Sequence, residues 1–290
     1  MLQALTNARI FTGENWLEGQ ALLFEGGCIH ALLPEEKLPT DIHRQDLSGQ
    51  YLVPGLIDTQ VNGGGGILFN EHPDLDGLET LMAAHRRFGT TGLLPTLISD
   101  DRAVMARALE TVNSALAQGM PGILGIHLEG PFLNPERKGV HDEHKFQILD
   151  KAGFELLTSL KNGRTIVTLA PERTRSEMIQ RLVNAGVIVA AGHTAASYDQ
   201  TREALTAGLT SFTHLFNAMT PMTGRQPGVV GAALEDPNSW CGLIVDGYHV
   251  HPASLKVAIA AKSQGKMLLV TDAMPSVGAQ DKSFWLKGER

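Results

Sequence analysis

From Leu52 onward the chain alternates between short, continuous apolar runs and amphipathic stretches. The runs cover residues 55–61, 92–97, 123–128, 165–169, 187–191, 211–215, 242–245 and 267–270, eight candidate strands. Continuous rather than alternating apolar character is what parallel strands need when both faces are buried. The stretches between them carry helix punctuation. Thr174 with Glu177 and Ser197 with Gln200 have capping-box spacing, and Gly186 and Gly208 follow the helical patterns that those boxes open. Pro252 suits the first turn of a helix that Gly265 would close.

Eight strands with helices between them predict an α/β fold, a TIM-type (β/α)8 barrel over residues 54–290. The first 53 residues read differently. Short β-like pieces at 8–11, 21–24 and 29–33 are separated by turn clusters such as Glu25-Gly26-Gly27, with no long helical period between them. This predicts a small, partial β-sandwich domain over residues 1–53. The chain stops at Arg290, soon after the eighth candidate strand and with no clear final helix, so a further C-terminal segment is expected.

In such a barrel, chemistry gathers at the C-terminal ends of the strands. The first strand runs into Asp58-Thr59-Gln60-Val61-Asn62 and then Gly63 to Gly66. The third gives His127-Leu128-Glu129-Gly130-Pro131, the fifth Gly192-His193-Thr194, and the sixth His214-Leu215-Phe216-Asn217. The seventh and eighth give Asp246-Gly247-Tyr248-His249 and Thr271-Asp272. Glu129, His193 and His214 together make a candidate metal site, because one carboxylate and two imidazoles with an open position is a usual catalytic zinc set. A lone histidine at a strand end is more often structural, but three such ligands on separate strands of one barrel reverse that weighting. Asp272 is the candidate proton acceptor. His127 shares a strand face with Glu129 and is expected to line the barrel. The glycine run matches no complete nucleotide fingerprint and reads as a flexible loop. Arg225, between Gly224 and Pro227, is the better anion candidate, since guanidinium pairs bidentately with phosphate.

Charge narrows the partners. With 24 Lys and Arg against 31 Asp and Glu, the formal charge is -7 and no basic run stands out, so nucleic acid is excluded. A small anion needs only one or two local cations and remains open. Residues 1–13 lack a secretory signal pattern, and no apolar run is long enough to span a membrane, so a cytoplasmic protein is expected. Cys28 and Cys241 are far apart and read as two buried thiols in a reducing compartment.

Four motifs point further: His127-Leu128-Glu129-Gly130-Pro131-Phe132, Gly192-His193-Thr194-Ala195, Thr213-His214-Leu215-Phe216-Asn217-Ala218-Met219 and Val270-Thr271-Asp272-Ala273. Together they resemble the N-acetylglucosamine-6-phosphate deacetylase family of the amidohydrolase superfamily, over nearly the whole chain. The resemblance implies hydrolysis of N-acetyl-D-glucosamine 6-phosphate to glucosamine 6-phosphate and acetate. It implies that Glu129, His193 and His214 bind the metal, that Asp272 is the general base and acid, and that His141 polarises the acetamide carbonyl. Val140, Asn217, Ala218, Arg225 and His249 match the family's substrate-contact positions. A homodimer is implied, with the arginine reaching the neighbouring subunit's site; a tetramer is the other possibility. The resemblance also implies that a C-terminal segment completes the sandwich.

Many amidohydrolases carry His-x-His at the end of the first strand, whereas Gln60 and Asn62 stand here. Neutral amides are weak zinc ligands, so one divalent ion per subunit is expected, zinc foremost, with Fe2+, Mn2+ and Co2+ as alternatives. Two other functions fit the residues less well. One is an amidohydrolase acting on an N-acyl amino acid or cyclic amide; the other is a non-catalytic sugar-phosphate binding protein.

Overall fold

Segments that tolerate water on neither face pair side by side and are covered by helices, and most of the apolar runs do so here. The computed structural model describes residues 1–262 and 265–286. The chain divides into two compact units, Met1–Leu56 and a second from Ile57 onward. Periodicity had set that boundary after residue 53.

The first unit holds β1 (Gln3–Thr6), β2 (Arg9–Phe11), β3 (Trp16–Leu17), β4 (Gln20–Glu25), β5 (Cys28–Pro34), β6 (His43–Asp46) and β7 (Tyr51–Leu52). They form two small sheets, ordered β5-β4-β1-β6 and β3-β2-β7. Alternation along β1 and β4 turns Ala4, Ala21 and Leu23 inward, where they pack with Leu38. Gly26 and Gly27 both have positive φ, as a two-residue hairpin turn requires, and they join β4 to β5. Cys28, just past that turn, is exposed, which corrects the expectation of two buried thiols. The turn brings the start of β5 to the surface, whereas Cys241 lies inside the other unit.

The second unit starts with β8 (Leu56–Val61) and a small hairpin, β9 (Gly63–Gly64) and β10 (Ile67–Leu68). The further strands are β11 (Thr90–Ile98), β12 (Gly125–Glu129), β13 (Arg164–Leu169), β14 (Ile188–Ala191), β15 (Ser211–Phe212), β16 (Trp240–Leu243) and β17 (Met267–Leu269). Eight of them form one sheet in strict chain order from β8 and β11 to β17, and the pairings from β11 onward are parallel. The ends of the sheet come together: Val61 bridges Ala273 in parallel, Asn62 N donates to Ala273 O at 3.0 Å, and Asp272 N donates to Gln60 O at 3.0 Å.

Among the described residues each strand-to-strand connection carries one helix. These are α1 (Leu75–Arg86), α2 (Arg102–Ala117), α3 (Lys151–Leu157), α4 (Ser176–Asn184), α5 (Tyr198–Thr206), α6 (Gly228–Glu235) and α7 (Pro252–Ala261). The result is a (β/α)8 barrel. Its main core joins strand residues such as Leu97, Ile126, Leu128 and Val189 to helix residues such as Leu78, Leu81, Leu109 and Leu182. No helix among the described residues is long and apolar enough to cross a membrane.

The helix signals were mostly legible. Ser197 and Gln200 form a complete capping box on α5, and His251 caps α7 with Pro252 in its first turn. Gly186, Gly208 and Gly265 all have positive φ after their helices. Thr174 is the exception. A short 3-10 turn, Pro171–Arg173, ends on Thr174, so α4 begins only at Ser176, and the Thr174 hydroxyl is buried without a hydrogen-bond partner among the described residues. The glycine run is also corrected, because Gly63 to Gly66 is tightly held rather than a flexible loop. A Cβ on Gly63 would lie 2.6 Å from Ile67 O, and the amides of Gly63, Gly65 and Gly66 donate to Ala273 O, Val277 O and Pro275 O. Those amides are occupied within the fold and cradle no phosphate.

Burial pushes the Cys241 thiol up to about 12. A thiol reagent is therefore expected to label one cysteine, Cys28, in the native protein and the second only after denaturation. Rapid labelling of both in the native state would contradict the packing around Cys241.

Candidate metal centre and active site

Backbone strain marks the site before any side chain is considered. Among the described residues seven non-glycine residues have positive φ, and five of them are His193, His214, Phe216, Ala218 and Asp272, all at or beyond the ends of β14, β15 and β17. Such conformations cost of order 1–3 kcal/mol each and persist only where surrounding structure enforces them.

Glu129 ends β12, while His193 and His214 lie two residues beyond β14 and β15. All three are buried. Glu129 Oε1 lies 3.2 Å from His193 Nε2 and 3.1 Å from His214 Nε2, and the two nitrogens are 3.0 Å apart. His193 Nδ1 donates to the Arg137 carbonyl at 2.8 Å. A carbonyl can only accept, so a neutral His193 presents a lone pair to the centre. Something positive must then sit among the three atoms, either a proton on His214 or a metal ion. The electrostatics agree. Burial alone would lower the His214 pKa, but the hydrogen bond and charge of Glu129 reverse this and push it up to about 9. Burial would raise Glu129, yet the two imidazoles hold it well below the usual carboxylate range. One carboxylate and two imidazoles converging in this way suit a divalent metal with an open coordination position.

Asp272 is joined to this cluster through two amides. Gln60 Nε2 donates both to Glu129 Oε1 at 3.2 Å and to Asp272 Oδ1 at 3.0 Å, and Asn62 Nδ2 donates to the same Oδ1 at 2.6 Å. Reversing the Asn62 amide would set two oxygens at that distance, so Asn62 turns its donor end towards the carboxylate. Loss of solvent and then the charge of Glu129 raise the Asp272 pKa, as befits a group that exchanges a proton. Asp58, one face-repeat before Gln60, accepts from Gln60 N at 3.1 Å and from the Thr271 hydroxyl at 2.6 Å, fixing both strand ends beside Asp272.

His141 is buried, and its ring packs 4.3 Å from that of His193. His127 lines the barrel, as expected: its Nδ1 donates to Thr59 O at 2.9 Å, and its Nε2 accepts from Thr168 Oγ1 at 2.7 Å. The remaining positions lie on loops. Asn217 and Ala218 are half-buried beside His214, Val140 is exposed, and His249 is exposed with its Nδ1 donating to Asp246 Oδ2 at 2.6 Å. Arg225 is exposed and shares with Arg137 the wall of a cavity of about 630 Å³. Thus Glu129, His193, His214, Asp272 and His141 come together, while Arg225 and His249 are exposed on loops and Val140 is the exposed neighbour of His141.

Sequence reading missed Glu172. Its Oε1 accepts from Asn134 Nδ2 at 2.9 Å and Ala195 N at 2.7 Å, and its Oε2 accepts from the Thr194 hydroxyl at 2.5 Å. Asn134 N in turn donates to His193 O at 2.9 Å. One carboxylate therefore ties the loop after β12 to the strand end that carries His193. Its partners lie 22 to 38 positions away, so no local pattern could have signalled it.

Comparison with known proteins agrees with this geometry. Residues 51–276 match the amidohydrolase family and residues 2–52 match the NagA composite domain. The chain is 42% identical to an N-acetylgalactosamine-6-phosphate deacetylase of Shewanella sp. (strain ANA-3), over 96% of this chain and 71% of that protein. The chain belongs to the amidohydrolase family, among its N-acetylhexosamine-6-phosphate deacetylases. The structure of N-acetylglucosamine-6-phosphate deacetylase from Pasteurella multocida superposes with a TM-score of 0.95 at 37% identity, covering 99% of this chain and 76% of that one. A mutant of the Mycobacterium smegmatis deacetylase in complex with N-acetyl-D-glucosamine-6-phosphate superposes at 0.90 with 35% identity, covering 98% and 74%. Members of this family are metal-dependent hydrolases acting on carbon–nitrogen bonds, as the four motifs implied.

Supports of metal ligands are worth roughly 10–100-fold in metal affinity. Glu172→Ala is expected to weaken metal binding by about that factor in competition with a chelator, with far-ultraviolet circular dichroism unchanged. Unaltered affinity would show that His193 does not depend on Glu172 for its position.

Proposed function

We propose that the chain hydrolyses N-acetyl-D-glucosamine 6-phosphate to D-glucosamine 6-phosphate and acetate, with one divalent ion, zinc foremost, held by Glu129, His193 and His214. The observation that carries this reading is the convergence of those three ligand atoms, with Asp272 tied to the same centre through Gln60. The donor ends of Gln60 and Asn62 face carboxylate oxygen, which supports a single ion. When bound, the ion polarises the acetyl carbonyl and acidifies the attacking water.

The residues of the chain do the rest. Asp272 takes the proton as water adds to the acetyl carbon, then delivers it to the departing amine. His141 donates a hydrogen bond to the carbonyl oxygen as that oxygen gains charge. Arg225 and His249 hold the phosphate, and Val140, Asn217 and Ala218 contact the sugar, so the acetamide is presented in one orientation. Exposure of Arg225 on its loop suits an arginine that reaches a neighbouring subunit's site in a homodimer. A charged sugar phosphate does not cross membranes unaided, which supports a cytoplasmic setting, and the net negative charge argues against nucleic acid as a partner.

The galactosamine epimer is a second reading, favoured by the 42% identity to an N-acetylgalactosamine-6-phosphate deacetylase. Acetate release from both phosphorylated epimers, beside unphosphorylated N-acetylglucosamine, separates the readings. The gluco epimer is expected to be turned over fastest. Faster release from the galacto epimer would transfer the assignment to it. Release from neither by metal-loaded protein would point to another amide, or to binding without catalysis.

Asp272→Asn is expected to lower kcat by about 10³-fold while leaving bound metal unchanged; metal loss would contradict its role as the proton carrier. Arg225→Ala should raise KM for the phosphorylated sugar by about 10-fold or more and leave the unphosphorylated sugar unaffected. Equal losses on both sugars would remove Arg225 from phosphate recognition.

A further inference from the structure

His141 Nδ1 lies 3.2 Å from the backbone nitrogen of Ser99 and 2.8 Å from the Ser99 hydroxyl oxygen. Histidine protonation is ambiguous in most settings, because hydroxyls and amides can play either part. A backbone N–H cannot: it only donates. His141 Nδ1 must therefore present its lone pair, and the proton of the neutral ring belongs on Nε2, at the opposite edge. An imidazolium would point an Nδ1–H at the Ser99 N–H, hydrogen against hydrogen.

The surroundings fix the position of Ser99. Ser99 is buried directly after β11, and its hydroxyl also lies 3.5 Å from the carbonyl of Glu129. Gly130, with φ +88°, makes room for that hydroxyl, since a Cβ there would lie 2.2 Å from Ser99 Oγ. The loop bearing His141 is braced by the bond from His141 N to Lys138 O at 3.0 Å.

We infer that Ser99 is a positioning residue for the hydrolysis, holding His141 as the neutral Nε2–H tautomer. In that form His141 points its Nε2–H, rather than a lone pair, at the substrate carbonyl. The inference rests on the role given to His141 under the proposed function.

Nitrogen-15 NMR of histidine-labelled, metal-loaded enzyme tests it, with His141→Gln used to assign the signals. The expected pattern is an unprotonated Nδ1 and a protonated Nε2 for His141. Ser99→Ala keeps the backbone donor and drops the hydroxyl. It should retain the pattern and lower kcat by about 3–10-fold, the worth of one hydrogen bond, with KM and metal content unchanged and Ser99→Thr restoring the rate. A protonated Nδ1 in the wild-type enzyme overturns the inference even if activity is normal. So does a Ser99→Ala variant whose kcat is unchanged, or whose loss tracks metal content. Failure of the proposed function would show instead as absent acetate release with the tautomer pattern intact.

Discussion

Three lone-pair atoms aimed at one point are the constraint on which the rest of this structure depends. A glutamate oxygen and two imidazole nitrogens lie 3.0 to 3.2 Å apart inside the barrel mouth, tolerable only with positive charge between them. His193 is fixed by the Arg137 carbonyl so that its lone pair cannot turn away. A loop, a 3-10 turn and a strand end that are distant in sequence are brought together around Glu172 to keep that arrangement. The positive φ values at His193, His214 and Asp272 are the backbone cost of aiming these side chains inward.

The two acids of the site are separated by what surrounds them. Glu129 faces imidazoles and is held ionised, whereas burial and then the charge of Glu129 raise the pKa of Asp272 against the opposing pull of the Asn62 amide. Gln60 stands between them and donates to both, keeping two like charges close without direct contact. Below them, Thr213, Thr168 and His127 form a hydrogen-bonded layer that ends on the Thr59 carbonyl. The polar floor of the site is thereby satisfied internally, and reactive groups stay at the open end, where barrel enzymes work.

How much of this was legible follows from how local each signal is. All eight strands could be read from continuous apolar runs, which burial on both faces leaves most fully in β11, β12, β13 and β14, and Glu129, His193, His214 and Asp272 could be read because barrel geometry says where strands end. The box at Thr174 failed because a 3-10 turn took up the residue that should have capped α4, a competition that spacing alone does not reveal. The glycine run misled in the same way: glycine permits flexibility but equally permits close packing, and contacts with residues beyond 270 decided the matter. Gln60 and Asn62 were legible as non-imidazoles, but not as donors to a carboxylate 212 and 210 positions away. Glu172 and Ser99 left no trace in the sequence, since each acts through loop residues 22 to 42 positions away.

The most direct test of the account is a titration of metal-free protein with Zn2+, followed by calorimetry and elemental analysis. The account expects one ion per chain in the wild-type protein and in Gln60→Ala and Asn62→Ala, and none at comparable affinity in His193→Ala. Two ions per chain, or one that persists in His193→Ala, would contradict it, because the centre would then not be the one formed by Glu129, His193 and His214.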